Sequence, residues 1–93
     1  MKNKYKGNIF INSFPHLDIH GETEATAGFI IEDFINDNYK LGNKFVVIIH
    51  GNGEGILRRK VKSVLKQDKR VVDAKLDTFN TGVTIVELET IKL

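Results

Sequence analysis

The alternation of apolar and polar positions along the 93-residue chain predicts four strands and two helices. Leu17 and Ile19 alternate with polar neighbours, which is typical of a short strand, and Gly21 is suited to end it. A continuous apolar run before His50 favours a strand that is buried on both faces, as in a parallel sheet. The predicted strands cover residues 16–20, 44–49, 71–76 and 82–88.

Two intervening segments repeat their apolar residues at helical spacing. The first covers residues 23–41, and Gly42 is suited to end it. The second is predicted to begin near residues 53–55 and to end near residue 68. The order strand, helix, strand, helix, strand, strand predicts a small α/β domain in which two helices cover a four-stranded mixed sheet. We assign this domain to residues 16–93, after an N-terminal arm or edge strand at residues 1–15.

Composition narrows the class of protein. The chain has no cysteine, which excludes disulfides and thiolate metal sites and favours the cytoplasm. No apolar run approaches the roughly 18 residues of a membrane span, and the N-terminus has no signal-peptide pattern. The net charge of +2 is small, but residues 54–70 hold seven basic side chains against two acidic ones. Such a basic patch indicates a polyanionic partner.

The basic patch begins with a glycine-rich loop between the second strand and the second helix. Glycine lets the backbone turn tightly and lets an incoming group approach the amides, and a helix N-terminus stabilises an anion. An ordinary turn of this kind needs only one glycine, so three of them predict a phosphate-binding loop. The predicted nucleic-acid-binding residues are Gly51, Asn52, Gly53, Gly55, Arg58, Arg59 and Lys62. The helix lysines could equally form a solvated face.

Two histidines, His20 and His50, end strand-like segments and are each followed by glycine. A histidine exchanges protons near neutral pH, although a hydrogen-bonded, partly buried histidine is the alternative at each position. Asp18 shares a strand face with His20. It could orient a histidine, hold a divalent cation or only cap a turn. His16 lies outside this pattern and is interpreted as a surface residue.

Three segments of the chain resemble the Smr (small MutS-related) domain family. They are LDIHG at residues 17–21, IHGNGEGILR at residues 49–58 and GVTIVEL at residues 82–88, in the order and spacing of that family. The resemblance covers residues 16–90. It implies a two-layer α/β sandwich similar to the C-terminal domain of bacterial translation initiation factor three, nucleic-acid binding and, in several members, endonuclease activity on RNA or DNA. Family members usually carry a paired glycine and an aromatic residue before the third segment, where this chain has Phe79-Asn80-Thr81.

Chemistry on a phosphodiester fits the remaining candidates, because the chain lacks a nucleophile elbow, a zinc spacing and a Walker A motif. In one mechanism, one histidine removes a proton from an RNA 2′-OH, the other protonates the leaving 5′-oxygen, and Arg58 stabilises the phosphate. In the other, Asp18 and a histidine hold a divalent metal that activates water. We prefer the first, without a cofactor, because a lone carboxylate is a weak metal site. The predicted catalytic residues are Asp18, His20, His50 and Arg58.

These patterns predict a stand-alone nucleic-acid-binding domain that acts as an endonuclease on RNA, with DNA as a second possible substrate. The alternative is a non-catalytic module that docks RNA, DNA or a ribosome through the same loop. No membrane partner is predicted.

Overall fold

The computed structural model describes residues 13–91, in which two helices cover one face of a four-stranded sheet. The elements are β1 (His16–Asp18), α1 (Glu24–Leu41), β2 (Phe45–Ile49), α2 (Ile56–Lys66), β3 (Val71–Leu76) and β4 (Val83–Leu88). Their type and order confirm the two-layer α/β prediction. The predicted N-terminal arm lies mostly in residues 1–12, outside the described residues.

The sheet is mixed, with strand order β1-β2-β4-β3. β1 and β2 are parallel, whereas β4 is antiparallel to both β2 and β3. The carboxyl ends of β1, β2 and β3 therefore lie at the same edge of the sheet as the start of β4. This edge is where the loops that carry the candidate residues meet.

Local signals explain where α1 begins and ends. Thr23 is the N-cap, and its hydroxyl accepts a hydrogen bond from the amide of Thr26, whose hydroxyl in turn accepts from the amide of Thr23. This reciprocal pair satisfies amides that have no partner within the helix. Gly42 ends the helix with a φ of 79°, a left-handed conformation that costs little only for glycine.

The main core lies between the helices and the sheet. Its buried side chains include Ile31 and Ile35 of α1, Leu65 of α2, and Ile48 and Val86 of the sheet. Burying side chains of this size stabilises a fold by roughly 1.5–3 kcal/mol each relative to exposure. These contacts hold both helices in a fixed position over the sheet.

The opposite face of the sheet has a smaller buried cluster. Val47 and Ile85 lie at its centre, and the ring of Phe14 stacks on that of Phe45 with 5.3 Å between centroids. β2 is thus apolar on both faces, which explains its continuous apolar run. Within the described part of the chain, no helix is long and apolar enough to cross a membrane.

The turn between α2 and β3 is held by Arg70. Its guanidinium donates two hydrogen bonds to the carboxylate of Asp68, at 3.0 and 2.8 Å, and a third to Asn36 of α1 at 2.9 Å. The guanidinium beside it lowers the pKa of the Asp68 carboxyl. This network ties the far end of α2 to α1 and fixes the start of β3.

Candidate active site

Two loops interlock at the carboxyl edge of β2. The amides of His50 and Gly51 both donate to the carbonyl oxygen of Gly82, each at 2.9 Å. A Cβ at Gly82 would lie 3.1 Å from the carbonyl carbon of Gly51, so any other residue would force the two loops apart by a few tenths of an ångström. The Thr81 hydroxyl also donates to the side-chain oxygen of Asn52, at 2.8 Å. These hydrogen bonds fix the glycine loop, residues 51–55, against the loop that precedes β4.

Asp18 and His20 form a direct pair at the end of β1. One carboxylate oxygen of Asp18 accepts hydrogen bonds from the backbone amide of His20, at 3.1 Å, and from its ring Nδ1, at 2.5 Å. This contact raises the pKa of His20 above 6.5 and lowers that of Asp18 below 3.8. The side chain of His20 is 71% exposed, and Nε2 has no partner among the described residues. His20 can therefore exchange a proton with a bound molecule.

His50 has a very different environment, because only 4% of it is exposed. Its Nδ1 lies 3.0 Å from the carbonyl oxygen of Gly51, and its Nε2 lies 2.8 Å from the hydroxyl of Thr84 on β4. A carbonyl oxygen only accepts, so Nδ1 carries the proton and Nε2 of the neutral ring accepts from Thr84. Burial lowers the pKa of His50, and the positive charge of Arg58 lowers it further.

A cavity of about 450 Å³ lies between the two histidines. His20, His50 and Arg58 line it together with the glycine loop, residues 51–55. The two histidines therefore face one space, as expected for neighbouring parallel strands that end at one edge. Within residues 13–91, no group of three or more histidine, aspartate or glutamate side chains is arranged to hold a metal ion.

The N-terminus of α2 forms the wall of this cavity. Its N-cap is Gly55, with a φ of 85°, and no side chain caps the first turn. The first turn has no acidic residue, while Arg58 and Arg59 place their guanidinium groups within 4 Å of where a Cβ of Gly55 would lie. Two cations beside the positive end of a helix dipole repel it, and an anion would relieve that repulsion.

Comparison with known proteins identifies the family. The model of the Smr domain matches residues 17–89. The chain belongs to the Smr domain family. It is 39% identical over 92 residues to "Endonuclease MutS2" of Thermotoga neapolitana and 36% identical over 92 residues to the protein of the same name of Clostridium kluyveri. Each match covers 95% of this chain but only 12% of the relative, so the chain spans about an eighth of the length of these curated relatives.

Two solved structures have the same architecture. The Smr domain of Thermus thermophilus MutS2 superposes with a TM-score of 0.78 at 29% identity, covering 81% of this chain and 98% of that domain. YdaL, a stand-alone small MutS-related protein from Escherichia coli, has a TM-score of 0.79 at 19% identity, covering 97% of this chain and 82% of YdaL. The second match shows the fold alone. Both support the four-stranded Smr architecture of this chain.

The structure divides the residues predicted from sequence into two groups. Those around the 450 Å³ cavity include His20, His50 and Arg58, whereas Arg59 and Lys62 line an adjoining groove beside α2 that shares Arg58 with the cavity. Asp18 lines neither space and contacts the site through His20. Thr84 was not among the predicted site residues, although it lies in the third family segment. The signal available in the sequence was a polar residue between Val83 and Ile85, at a position that faces the helices.

Proposed function

We propose that this Smr domain is a nucleic-acid endonuclease whose reaction takes place in the cavity between His20, His50 and the N-terminus of α2. The observation that carries the proposal is the Asp18–His20 pair, which presents an oriented and exposed imidazole at the lip of that cavity. A histidine held by a carboxylate through Nδ1 has its Nε2 directed for proton transfer. The guanidinium groups of Arg58 and Arg59, together with the uncapped amides of α2, supply the partners for a phosphate.

The two histidines have opposite pKa shifts, which suits opposite roles. Asp18 favours the protonated form of His20, and burial favours the neutral form of His50. Groups whose environments separate their pKa values can act as acid and base in the same pH range. We assign His20 as the general acid that protonates the leaving 5′-oxygen and His50 as the general base.

The reaction that fits is transfer within RNA. The 2′-oxygen of the substrate attacks the adjacent phosphorus, its proton passes to Nε2 of His50, and the P–O5′ bond breaks as His20 delivers its proton. The products are a 2′,3′-cyclic phosphate and a 5′-hydroxyl. To accept the proton, Nε2 must release the Thr84 hydroxyl, which then bonds the substrate or rotates away. Arg58 and the loop amides stabilise the charge on the phosphate.

The relatives support the reaction class, because proteins named endonuclease share this segment of sequence. Those proteins are about eight times longer than this chain, so their activity is carried to it as part of the proposal. RNA is the proposed substrate because the 2′-hydroxyl provides a nucleophile that two histidines can activate. The cytoplasm remains the predicted location.

The decisive experiment compares His20→Gln with His16→Gln. Both histidines are exposed near β1, but only His20 lines the cavity, so His16 is a matched control. End-labelled single-stranded RNA is incubated with each purified protein in EDTA, and cleavage is followed on a denaturing gel. His20→Gln should lose about 10²–10⁴-fold in rate. His16→Gln should cleave like wild type.

Equal cleavage by wild type and His20→Gln would refute the assignment. Cleavage that requires Mg²⁺ or Mn²⁺, and that disappears in EDTA, would favour the mechanism in which Asp18 and a histidine hold a divalent ion that activates water. Loss of binding together with cleavage in His20→Gln would make His20 a binding residue.

A second function is favoured by one observation. Both ring nitrogens of His50 are already hydrogen-bonded within the fold, as in a structural histidine. A non-catalytic module that docks RNA, DNA or a ribosome through the glycine loop needs no free imidazole there. Wild-type protein that binds RNA but leaves it intact, with or without divalent ions, would establish this second function.

A further inference from the structure

A second concave surface runs beside α2, on the helix-covered side of the sheet. This α2–β3 groove has a volume of about 750 Å³ and lies between one flank of α2 and the edge strand β3. Because β3 is antiparallel to β4 and Leu76 pairs with Thr84, the groove extends from the carboxyl edge of β2 towards the turn at Arg70.

The groove continues from the candidate active site. Arg58 lines both the 450 Å³ cavity and the α2–β3 groove. Thr84, whose hydroxyl contacts His50, lies on the floor of the groove at the same end. A chain that places one phosphate in the cavity therefore reaches the groove directly past Arg58.

One wall of the groove is strongly basic. Arg58, Lys62 and Lys66 follow at intervals of four residues along α2, and each lines the groove. Four residues advance a helix by about 6 Å, so the three charges form a row on one side of the helix. None of them has an ion-pair partner among residues 13–91. Unpaired cations in a row match a polyanion rather than a single small anion.

The floor of the groove is mostly aliphatic and accessible, and the one carboxylate that lines it, Asp73, lies 3.8 Å from the ammonium of Lys75. Val72 is 51% exposed and Leu76 is 40% exposed, and Ala74 lies exposed between them on β3. Together these three side chains form an accessible aliphatic strip along the edge strand, against which an apolar part of a ligand can pack. Next to a basic wall, such a floor suits a ligand that is charged along one side and apolar along the other.

We infer that the α2–β3 groove binds the single-stranded segment that flanks the cleaved phosphate, and that the substrate is unpaired nucleic acid. This inference rests on the proposed function. Arg58, Lys62 and Lys66 contact successive phosphates, and the ribose and base faces lie against the aliphatic floor. In a duplex those faces are covered by stacking and pairing, whereas unpaired nucleotides expose them to protein side chains.

The test uses fluorescence anisotropy with a labelled single-stranded RNA and the same RNA annealed to its complement. The variant is Lys62→Ala/Lys66→Ala, and its control is Lys40→Ala/Lys69→Ala, which removes two exposed lysines that do not line the groove. Wild type and control should prefer the single strand by at least about tenfold. The groove variant should lose about tenfold in affinity for it, and its slope of log affinity against log salt should fall by about 1.4, or 0.7 for each lost phosphate contact.

The outcomes separate this inference from the proposed function. If wild type cleaves and binds RNA but the groove variant matches its control, the function stands and the groove assignment is wrong. Equal affinity for single strand and duplex, or displacement of RNA by polyglutamate of equal charge, would overturn the assignment to unpaired nucleic acid. Wild type that binds no RNA would refute both the function and the groove.

Discussion

The hydrogen bond between Thr84 and His50 allows a quantitative test of how the active site is built. Thr84→Val replaces the hydroxyl by a methyl group of similar size, so packing against the buried neighbours is retained. The change leaves Nε2 of His50 as an acceptor without a donor in a position where only 4% of the residue is exposed. Thr84→Ser keeps the hydroxyl and is the matched control.

A buried acceptor that loses its partner costs about 1–3 kcal/mol. For a domain of 60–100 residues, each kcal/mol lowers the melting temperature by about 4–8 °C. We therefore expect Thr84→Val to melt at least about 4 °C below wild type at pH 7.5, and Thr84→Ser to lie closer to wild type. Differential scanning calorimetry measures both variants directly.

NMR of the imidazole nitrogens provides an independent check. Wild-type His50 should be the Nδ1–H tautomer at neutral pH, because the carbonyl of Gly51 can only accept a hydrogen bond. An Nε2–H tautomer in wild type, or a Thr84→Val protein that melts with wild type, would refute the assigned bond. An Nε2–H tautomer would also contradict the assignment of Nε2 of His50 as the proton acceptor of the reaction.

Three other substitutions test the surroundings of the site. Asp18→Asn should lower the pKa of His20 towards 6.5, measured by NMR titration, since the Asp18 carboxylate is the main cause of its rise; an unchanged pKa would contradict the pair. The folded state disfavours protonated His50, so wild-type stability should fall as pH decreases from 6.5 through its lowered pKa, and His50→Gln should remove that part of the pH dependence. Gly82→Ala should destabilise by about 1–3 kcal/mol in urea unfolding through steric overlap, whereas Gly53→Ala, where a Cβ meets nothing within 4 Å, should not.

Sequence periodicity predicted all six elements because each has a strong local signal. The apolar run before His50, the helical spacing in α1 and Gly42 at its end each specify structure over a few residues. Each helix and strand begins and ends within about three residues of its predicted bounds. The second helix begins at Ile56, since Gly55 takes a left-handed conformation as its N-cap.

The different environments of the two site histidines could not be predicted from the sequence. His20 and His50 look equivalent in the sequence, because each follows a strand and precedes a glycine. Their difference arises from their partners: Thr84, 34 residues away, binds His50, whereas Asp18, the last residue of β1 and only two residues away, binds His20. The local partner could be predicted from the two-residue spacing, but the distant one required the pairing of β2 with β4.

The N-terminus of α2 has a consequence for how ligands of this domain can be found. Its first turn combines an uncapped end with two arginines, so a bound anion would meet free amides and two cations there. Anything that binds the folded state alone raises stability by RT ln(1 + [L]/Kd), about 2.7 kcal/mol at a hundredfold excess over Kd. Thermal stability therefore acts as a readout of occupancy, and oligonucleotides can be ranked by the rise in melting temperature that they cause. Such a screen requires no turnover, so it serves equally well for a nuclease and for a module that only binds.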